Sequence, residues 1–255
     1  MTEKLSGYRA LVTGASKGIG RATALALAGA GCAVGVHYFT DEAGAQETAA
    51  AARKLGARAE VYRADCAVEA EADALCRKFL ADFGGIELLV ANAGDLVARA
   101  PLEAMTSELF DRVFAVNVRS AFLCARAVVG AMQAARRGQI IFLSSIAGEN
   151  GGGPGASAYV AAKGALIAYT RALAKELAPF NIRVNNVSPG VIDGTNFHAR
   201  FSTRERLEKL RGEIPLGRLG LPEDCARAIL YLARETDGFL TGVTLDVNGG
   251  QWMTG

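Results

Sequence analysis

Short apolar runs alternate with longer helical patterns along most of the chain. The runs predict strands at 9–13, 33–37, 58–63, 86–91, 139–144, 182–188 and 243–246. Between them, apolar positions recur with helical spacing and predict helices at 19–29, 41–55, 68–83, 107–136, 159–178 and 222–233. Strands that are apolar on both faces and separated by helices indicate a parallel sheet, because parallel strands need long crossover connections.

This alternation predicts a single α/β domain over residues 1–255, a Rossmann-type doubly wound sheet of about seven parallel strands with helices on both faces. Ligands of such folds bind beyond the carboxyl ends of the strands. Two stretches depart from the pattern. The glycine-rich residues 148–155 predict a mobile loop at the site, and residues 194–220, with a polar helix-like part at 202–211, predict a substrate lid. A surface excursion without function is the alternative for the second stretch.

Composition and charge exclude several classes of protein. The chain is 51% hydrophobic and carries a net charge of only +2, so we expect neither nucleic acid nor an anionic membrane as its partner. Residues 22–40 are uncharged, but three glycines interrupt them, which favours a helix and a strand over a membrane span. Five scattered cysteines, two histidines and no apolar signal region predict a cytoplasmic protein without a metal site.

The first predicted strand runs into the sequence T-G-A-S-K-G-I-G, from Thr13 to Gly20. Glycines at these spacings permit a tight turn and a close approach of the backbone to a phosphate, and the following helix directs its amides at an anion. No carboxylate follows the second strand before Asp41, and Lys17 lies in the glycine loop. We therefore expect NADP(H) as cofactor; a solvated Lys17, and with it NAD(H), is the alternative.

Tyr159 and Lys163 are four residues apart at the start of a predicted helix, so they share one face. A free tyrosine has a pKa of about 10, and a fixed neighbouring cation favours its phenolate. Ser145 ends the preceding strand at the same edge of the sheet, where its hydroxyl would reach a substrate carbonyl. The three residues predict a site that exchanges a proton with a carbonyl oxygen.

Several motifs stand in the order found in one known family. They are the T-G-x-x-x-G-x-G loop, Asn92-Ala93-Gly94, Asn117, Ser145, Tyr159-x-x-x-Lys163, Ser188-Pro189-Gly190 and the closing Val247-Asn248-Gly249-Gly250. In these, the chain resembles the short-chain dehydrogenase/reductase family of the single-domain type, from about Leu5 onward.

The resemblance implies a role for each catalytic residue. Tyr159 would be the acid/base, and Lys163 would lower the pKa of Tyr159 and hold the nicotinamide ribose. Ser145 would orient the carbonyl, and Asn117 would position a water in a proton relay. Thr195 stands one residue later than the family's usual P-G-x-x-x-T spacing. The implied cofactor contacts are Gly14, Ser16, Lys17, Gly18, Ile19, Gly20, Tyr38, Asp65, Cys66, Asn92, Ala93, Gly94, Tyr159, Lys163, Pro189, Gly190, Ile192 and Thr195.

Within the family, the pattern most resembles 3-oxoacyl-[acyl-carrier-protein] reductases and the related sugar and polyol dehydrogenases. We therefore expect a ketone reductase for 3-oxoacyl substrates, with a sugar, polyol or other small secondary alcohol as the alternative. A dinucleotide-sensing binding protein or a methyl-transfer enzyme on the same fold would leave the Tyr-Lys pair unexplained.

Two groups of basic residues are candidates for binding an acidic carrier protein or an anionic substrate. Arg136 and Arg137 are candidates for binding an acidic carrier protein at the mouth of the pocket. In the lid, Arg200, Arg204 and Arg206 are candidates for an anionic substrate, although acids are interleaved with them. The family resemblance also implies a homotetramer, in which helices at 113–132 and 159–173 pack across one two-fold axis and the C-terminal strand lies near another.

Overall fold

A seven-stranded parallel sheet forms the centre of the protein, in the strand order β3-β2-β1-β4-β5-β6-β7. The computed structural model describes residues 5–195, 201, 203–234 and 238–253. The strands are β1 Arg9–Val12, β2 Ala33–Tyr38, β3 Ala59–Arg63, β4 Leu88–Ala91, β5 Gly138–Leu143, β6 Ile182–Pro189 and β7 Thr244–Val247. All seven predicted strands are present, and the doubly wound parallel sheet is confirmed.

Nine α-helices are described in these residues, and they cover both faces of the sheet. They are α1 Gly18–Gly29, α2 Glu42–Lys54, α3 Glu69–Phe83, α4 Ser107–Phe114, α5 Ser120–Ala135, α6 Ala147–Asn150, α7 Ser157–Leu177, α8 Arg204–Gly212 and α9 Pro222–Arg234. The uncharged residues 22–40 divide into the end of α1 and strand β2, as predicted. Helix α8 lies in the predicted lid; residues 196–200 and 202 of that lid, with Arg200 among them, lie outside the described residues.

Alternation along the strands builds one apolar core on each face of the sheet. In β5, Phe142 packs with Phe79 of α3 on one side, whereas Ile141 packs with Leu27 of α1 and Ile229 of α9 on the other. These side chains are at most 1% exposed. Because both strand faces are buried, the apolar runs are continuous, which is why the sequence indicated a parallel sheet.

Strand order reverses at β1, which pairs with β2 on one side and with β4 on the other. The connections from the two strands therefore leave toward opposite faces and open a crevice beyond their carboxyl ends. The glycine loop follows β1 at this point, and Asn92 follows β4. The fold thus brings together two motifs that are almost eighty residues apart in the sequence.

The predicted helix 107–136 is divided by a wider π-helical turn, Ala115–Arg119, between α4 and α5. The span Ser107–Ala135 is long and apolar enough to cross a membrane by those two criteria alone. Residues such as Leu123, Val128 and Met132 instead face the core beside α3. The composition of this segment is therefore that of a core helix.

Candidate active site

A cavity of about 650 Å³ opens at the carboxyl edge of the sheet. Most of the residues predicted for the site line it: Gly14, Ser16, Lys17, Gly18, Ile19, Gly20, Asp65, Cys66, Asn92, Ala93, Gly94, Ser145, Tyr159, Lys163, Pro189, Gly190, Ile192 and Thr195. They lie at the carboxyl ends of five different strands or in the loops and helices that follow them. Parallel pairing places all these loops at one edge, which is how residues spread over the chain share one site.

Tyr38 and Asn117 do not line this cavity. The Tyr38 side chain is 7% exposed and lies in the core beneath α1 and α2, whereas its neighbours His37 and Phe39 line the cavity. Strand alternation explains this placement, since successive side chains of β2 point to opposite faces. Asn117 is fully buried behind Gly94.

The glycine loop has the shape that a pyrophosphate requires. Gly14 and Gly18 adopt φ of +65° and +54°, a region that favours glycine. A Cβ at Gly20 would collide with the Gly14 carbonyl oxygen. Asn92 Nδ2 donates to the carbonyl oxygens of Thr13 (2.8 Å) and Gly14 (3.1 Å), which ties β4 to the loop. The tight loop therefore leaves its backbone amides accessible to an anion at the start of α1.

His37 holds the same loop and was not found by motif analysis. The Gly14 amide donates to His37 Nδ1 (3.0 Å), so that nitrogen is unprotonated and Nε2 carries the hydrogen toward the Ala64 carbonyl (3.0 Å). Burial lowers the pKa of His37 to about 4, so the ring is neutral at physiological pH. Its only signal in the sequence is a polar residue in an apolar strand that leads to the site.

Lys17 extends from the glycine loop toward the end of β2. Its Nζ lies 3.3 Å from Asp41 Oδ2, and its side chain is about half exposed. Asp41 also accepts a hydrogen bond from the Gly44 amide (3.1 Å), which caps α2. The Gly44 bond and the charge of Lys17 lower the pKa of Asp41. A carboxylate and an ammonium thus stand together where the adenosine ribose of a dinucleotide binds in such folds.

Tyr159 and Ser145 both line the cavity, and a hydrogen bond joins them. Ser145 follows β5, and its Oγ accepts a hydrogen bond from the Ala147 amide (3.2 Å). Burial raises the pKa of Tyr159 to about 12; the hydrogen bond from Ser145 opposes this rise and the charge of Asp95 adds to it. Tyr159 is therefore a protonated phenol at neutral pH.

Lys163 lies beneath the Tyr159 ring, with its Nζ 5.6 Å from the ring centroid. The side chain is 4% exposed, and Nζ donates to the Leu143 carbonyl oxygen at 2.7 Å. Burial lowers the pKa of Lys163 to about 8, so the ammonium remains mostly charged at neutral pH. The carbonyl at the end of β5 thus holds a cation at the base of the cavity.

Asn117 lies in the π-helical turn and faces Lys163 across Gly94. Its Nδ2 donates to the carbonyl oxygens of Asp95 (2.7 Å) and Val113 (2.8 Å), while its Oδ1 has no hydrogen-bond partner within the described part of the chain. A Cβ at Gly94 would lie 2.5 Å from Asn117 Oδ1 and 3.1 Å from Lys163 Nζ. The glycine therefore keeps open the space between an acceptor and a cation.

Backbone contacts fix the spacing of Ser145 and Tyr159. Helix α6, which follows Ser145, packs so closely on α7 that a Cβ at Gly148 would lie 2.6 Å from the Gly164 amide nitrogen. Asn186 Nδ2 donates to Ser144 Oγ at 2.6 Å, and the Ser144 amide donates to Asn186 Oδ1 at 3.0 Å. Asn186 was not predicted, and a single sequence holds no motif for it.

Arg136 and Arg137 are not at the mouth of the cavity. They precede β5 and therefore lie at the amino edge of the sheet, opposite the site, where Arg136 donates to the Pro179 carbonyl oxygen (2.9 Å). Arg206 of α8 does line the cavity, together with Arg99 and Arg112, which the sequence did not indicate. No group of three metal-binding side chains occurs among the residues that the structure describes.

Comparisons with known proteins agree with this geometry. A family profile described as "Enoyl-(Acyl carrier protein) reductase" matches residues 14–251. The chain is 38% identical to the 3-oxoacyl-[acyl-carrier-protein] reductase FabG of Escherichia coli (strain K12), over 97% of this chain and 98% of that protein. It is also 38% identical to a cyclopentanol dehydrogenase of Comamonas sp. (strain NCIMB 9872), over 94% and 95%.

Among solved structures, a short-chain type dehydrogenase/reductase from Mycobacterium marinum superposes with a TM-score of 0.92 at 35% identity, covering 99% of this chain and 98% of that one. The matches extend over nearly the full length of both chains, so they span the part of this chain that carries the glycine loop, Ser145, Tyr159 and Lys163. The protein is an oxidoreductase that belongs to the short-chain dehydrogenase/reductase family.

Proposed function

We propose that the protein is an NADP(H)-dependent reductase that interconverts a ketone and a secondary alcohol. The observation that carries the proposal is that the Tyr159 phenol lies in the same cavity as the glycine loop. There it is hydrogen-bonded to Ser145 and lies above Lys163. A protonated phenol at that position is suited to give a proton to a carbonyl oxygen. The predicted roles of Asn117, Ser145, Tyr159 and Lys163 are proposed on this basis.

The residues of the cavity fit a dinucleotide. The positive-φ glycines 14 and 18 and the amides of α1 would hold the pyrophosphate, and Asp65 would lie near the adenine. Lys163 would hold the nicotinamide ribose, and the space at Gly94 suits a ring beside it. When bound, the nicotinamide supplies the hydride that a carbonyl carbon accepts.

The protein's own residues then complete the reduction. Ser145 Oγ donates to the substrate carbonyl oxygen and fixes its position against the Tyr159 hydroxyl. Tyr159 Oη gives its proton to that oxygen as the carbonyl carbon becomes a secondary alcohol carbon. The buried ammonium of Lys163 stabilises the phenolate left behind, and Asn117 Oδ1 offers an acceptor to a water that returns the proton.

A 3-oxoacyl group is the proposed substrate, as in the name of the E. coli relative. The cyclopentanol dehydrogenase relative favours the alternative, a small secondary alcohol, with which a sugar or polyol is grouped. The residues around α8 would form the lid that determines which of these substrates the enzyme accepts. Arg136 and Arg137 do not support binding of an acyl carrier protein, because they lie at the opposite edge of the sheet.

A panel of 3-oxoacyl thioesters, cyclic ketones and keto sugars, assayed with NADPH and NADH in parallel, tests the proposal. Replacing Tyr159 with Phe should lower kcat at least about 100-fold, because the proton donor is lost, while NADPH still binds. Tyr169→Phe, on the same helix but packed on Phe142 in the core, is the matched control. Near-normal turnover by Tyr159→Phe would refute the mechanism. Dinucleotide binding without turnover of any ketone would favour the sensing alternative.

We also propose that the protein is cytoplasmic and forms a homotetramer. All five cysteines are free and buried, which suits a reducing compartment. The proposed subunit contact uses the outer faces of α4, α5 and α7. Phe110 and Phe122 are exposed there by 42% and 39%, and a second chain would cover them.

A further inference from the structure

Two arginines from distant parts of the chain converge at the glycine-rich segment 151–155. Arg99 follows β4, and Arg206 lies on α8. The space that a Gly153 side chain would occupy lies 3.2 Å from Arg206 Nη2 and 3.6 Å from Arg99 Nη1. Both arginines line the cavity that holds Tyr159. The guanidinium groups of Arg99 and Arg206 thus lie close together at Gly153, on one side of the catalytic cavity.

Backbone hydrogen bonds hold Arg99 in this position before any ligand is bound. Its Nη1 donates to the Pro154 carbonyl oxygen at 2.8 Å, and the Ala100 amide donates to the Gly155 carbonyl oxygen at 3.0 Å. The first of these bonds occupies one of the five donors of the guanidinium, and the other four have no hydrogen-bond partner among the described residues. The arginine is therefore preorganised, which lowers the entropy lost when it binds a ligand.

The charges at this position are not balanced within the described residues. Neither Arg99 nor Arg206 has a carboxylate within 4.0 Å in that part of the chain, whereas Arg112 pairs with Asp65 and Lys17 pairs with Asp41. The two guanidinium groups repel each other: burial lowers the pKa of Arg99, and the charge of Arg206 lowers it further. An anion placed between them would relieve this repulsion.

We infer that Arg99 and Arg206 bind an anionic group of the substrate, at the end remote from the reacting carbonyl. Two guanidinium groups match the oxygens of a carboxylate or a phosphate, which share this chemistry. Glu213 and Asp95 also line the cavity, and their charges disfavour an anion beside them. Gly153 leaves room for the anion because it has no side chain.

This inference rests on the proposed ketone reduction, and the experiment distinguishes failure of the inference from failure of the proposed function. The probes are oxo-carboxylates of increasing chain length, their methyl esters, and matching oxo-alkyl phosphates, all reduced with the same cofactor. Wild-type kcat/KM should favour one anionic probe over its ester. Arg99→Gln and Arg206→Gln should each reduce that preference about tenfold or more and leave kcat/KM for the ester within about twofold. The carboxylate and phosphate series show which anion fits.

Arg204→Gln is the matched control, because Arg204 is exposed on the same helix and does not line the cavity. Its preference for the anionic probe should equal that of the wild type. The inference is overturned if the wild type shows no preference at any chain length, or if Arg99→Gln and Arg206→Gln keep it. In either case reduction of the esters still supports the ketone reductase, whereas loss of all turnover in the wild type would refute the proposed function itself.

Discussion

Tyr159 and Lys163 are buried together, and burial moves their pKa values toward each other. Burial raises the pKa of the phenol to about 12 and lowers that of the ammonium to about 8, because each neutral form is favoured in an environment of low polarity. At neutral pH the pair is therefore a neutral acid above a cation. This state is ready for reduction, whereas alcohol oxidation first requires the phenol to lose its proton.

The two directions of the reaction should depend differently on pH. Alcohol oxidation needs the Tyr159 phenolate, whose fraction grows about tenfold per pH unit below its pKa. The oxidation rate should therefore rise steeply between about pH 6 and 7, where Lys163, with a pKa of about 8, stays charged. Ketone reduction uses the protonated phenol, which is fully populated there, and should stay constant. Rates at saturating substrate and cofactor check this. An oxidation rate that does not change with pH contradicts the assignment.

Lys17 and Asp41 provide a test of the cofactor proposal. If Lys17 binds the 2′-phosphate, Asp41 competes for the same ammonium. Lys17→Ala should then raise KM for NADPH about tenfold or more, while KM for NADH changes little. Asp41→Asn keeps a side chain that caps α2 and should lower KM for NADPH. Equal effects of Lys17→Ala on both cofactors would argue against the proposed preference for NADPH.

Among single residues, the sequence predicted the site residues that belong to motifs. It missed the residues that support the site through hydrogen bonds to distant parts of the chain. Ser145, Tyr159 and Lys163 are recognisable because their spacing follows from the strand and helix that carry them. His37 and Asn186 act through bonds to residues more than twenty positions away, and no local pattern encodes these bonds. Tyr38 was implied by the family resemblance, but its side chain lies on the face of β2 opposite to that of His37 and Phe39, which line the cavity.

At the scale of elements, α6 and α7 pack backbone against backbone beside the catalytic residues. A Cβ at Gly148 would meet the Gly164 amide nitrogen and the Lys163 carbonyl carbon, at 2.6 and 2.7 Å. Neither atom belongs to a side chain that can turn away, so the helices themselves must separate. The distance between Ser145, just before α6, and Tyr159 on α7 therefore depends on this one glycine.

Gly148→Ala should consequently impair both stability and catalysis. We expect a loss of roughly 1–3 kcal/mol in the free energy of unfolding, typical of overpacking, and a fall in kcat as the hydroxyl pair separates. Gly29→Ala is the matched control, since nothing lies within 4 Å of its Cβ position at the exposed end of α1. Denaturant unfolding and steady-state kinetics measure the two effects. A fully active and stable Gly148→Ala protein would contradict this account of the packing.

Element boundaries were predicted to within a few residues wherever apolar spacing was regular. The π-helical turn at Ala115–Arg119 is the main exception. The apolar pattern runs through this turn without a break and therefore predicts one continuous helix. The sequence does not show the turn, because a π-helical turn is defined by its backbone hydrogen bonds and not by its composition. It is also where Asn117 lies, so an irregular element coincides with a proposed functional residue.

At the scale of the whole molecule, the outer face of α4 and α5 carries the proposed subunit contact. Phe122→Asp places a charge on this face and should dissociate the tetramer, lowering the mass from about four times the 26.6 kDa of one chain. Leu55→Asp is the control, because Leu55 is exposed at the end of α2, away from that face. Light scattering after gel filtration measures the mass. A wild-type monomer would rule out the proposed assembly.

The site straddles the reversal of strand order between β1 and β4, and this gives a dinucleotide a structural as well as a chemical role. A molecule bound there contacts the loops of β1 to β3 on one side and those of β4 to β6 on the other, so it links the two halves of the sheet. By mass action, every binding contact made only in the native state adds to the free energy of unfolding. A higher cellular concentration of the cofactor would then raise the resistance of the enzyme to unfolding and proteolysis, whether or not a substrate is present.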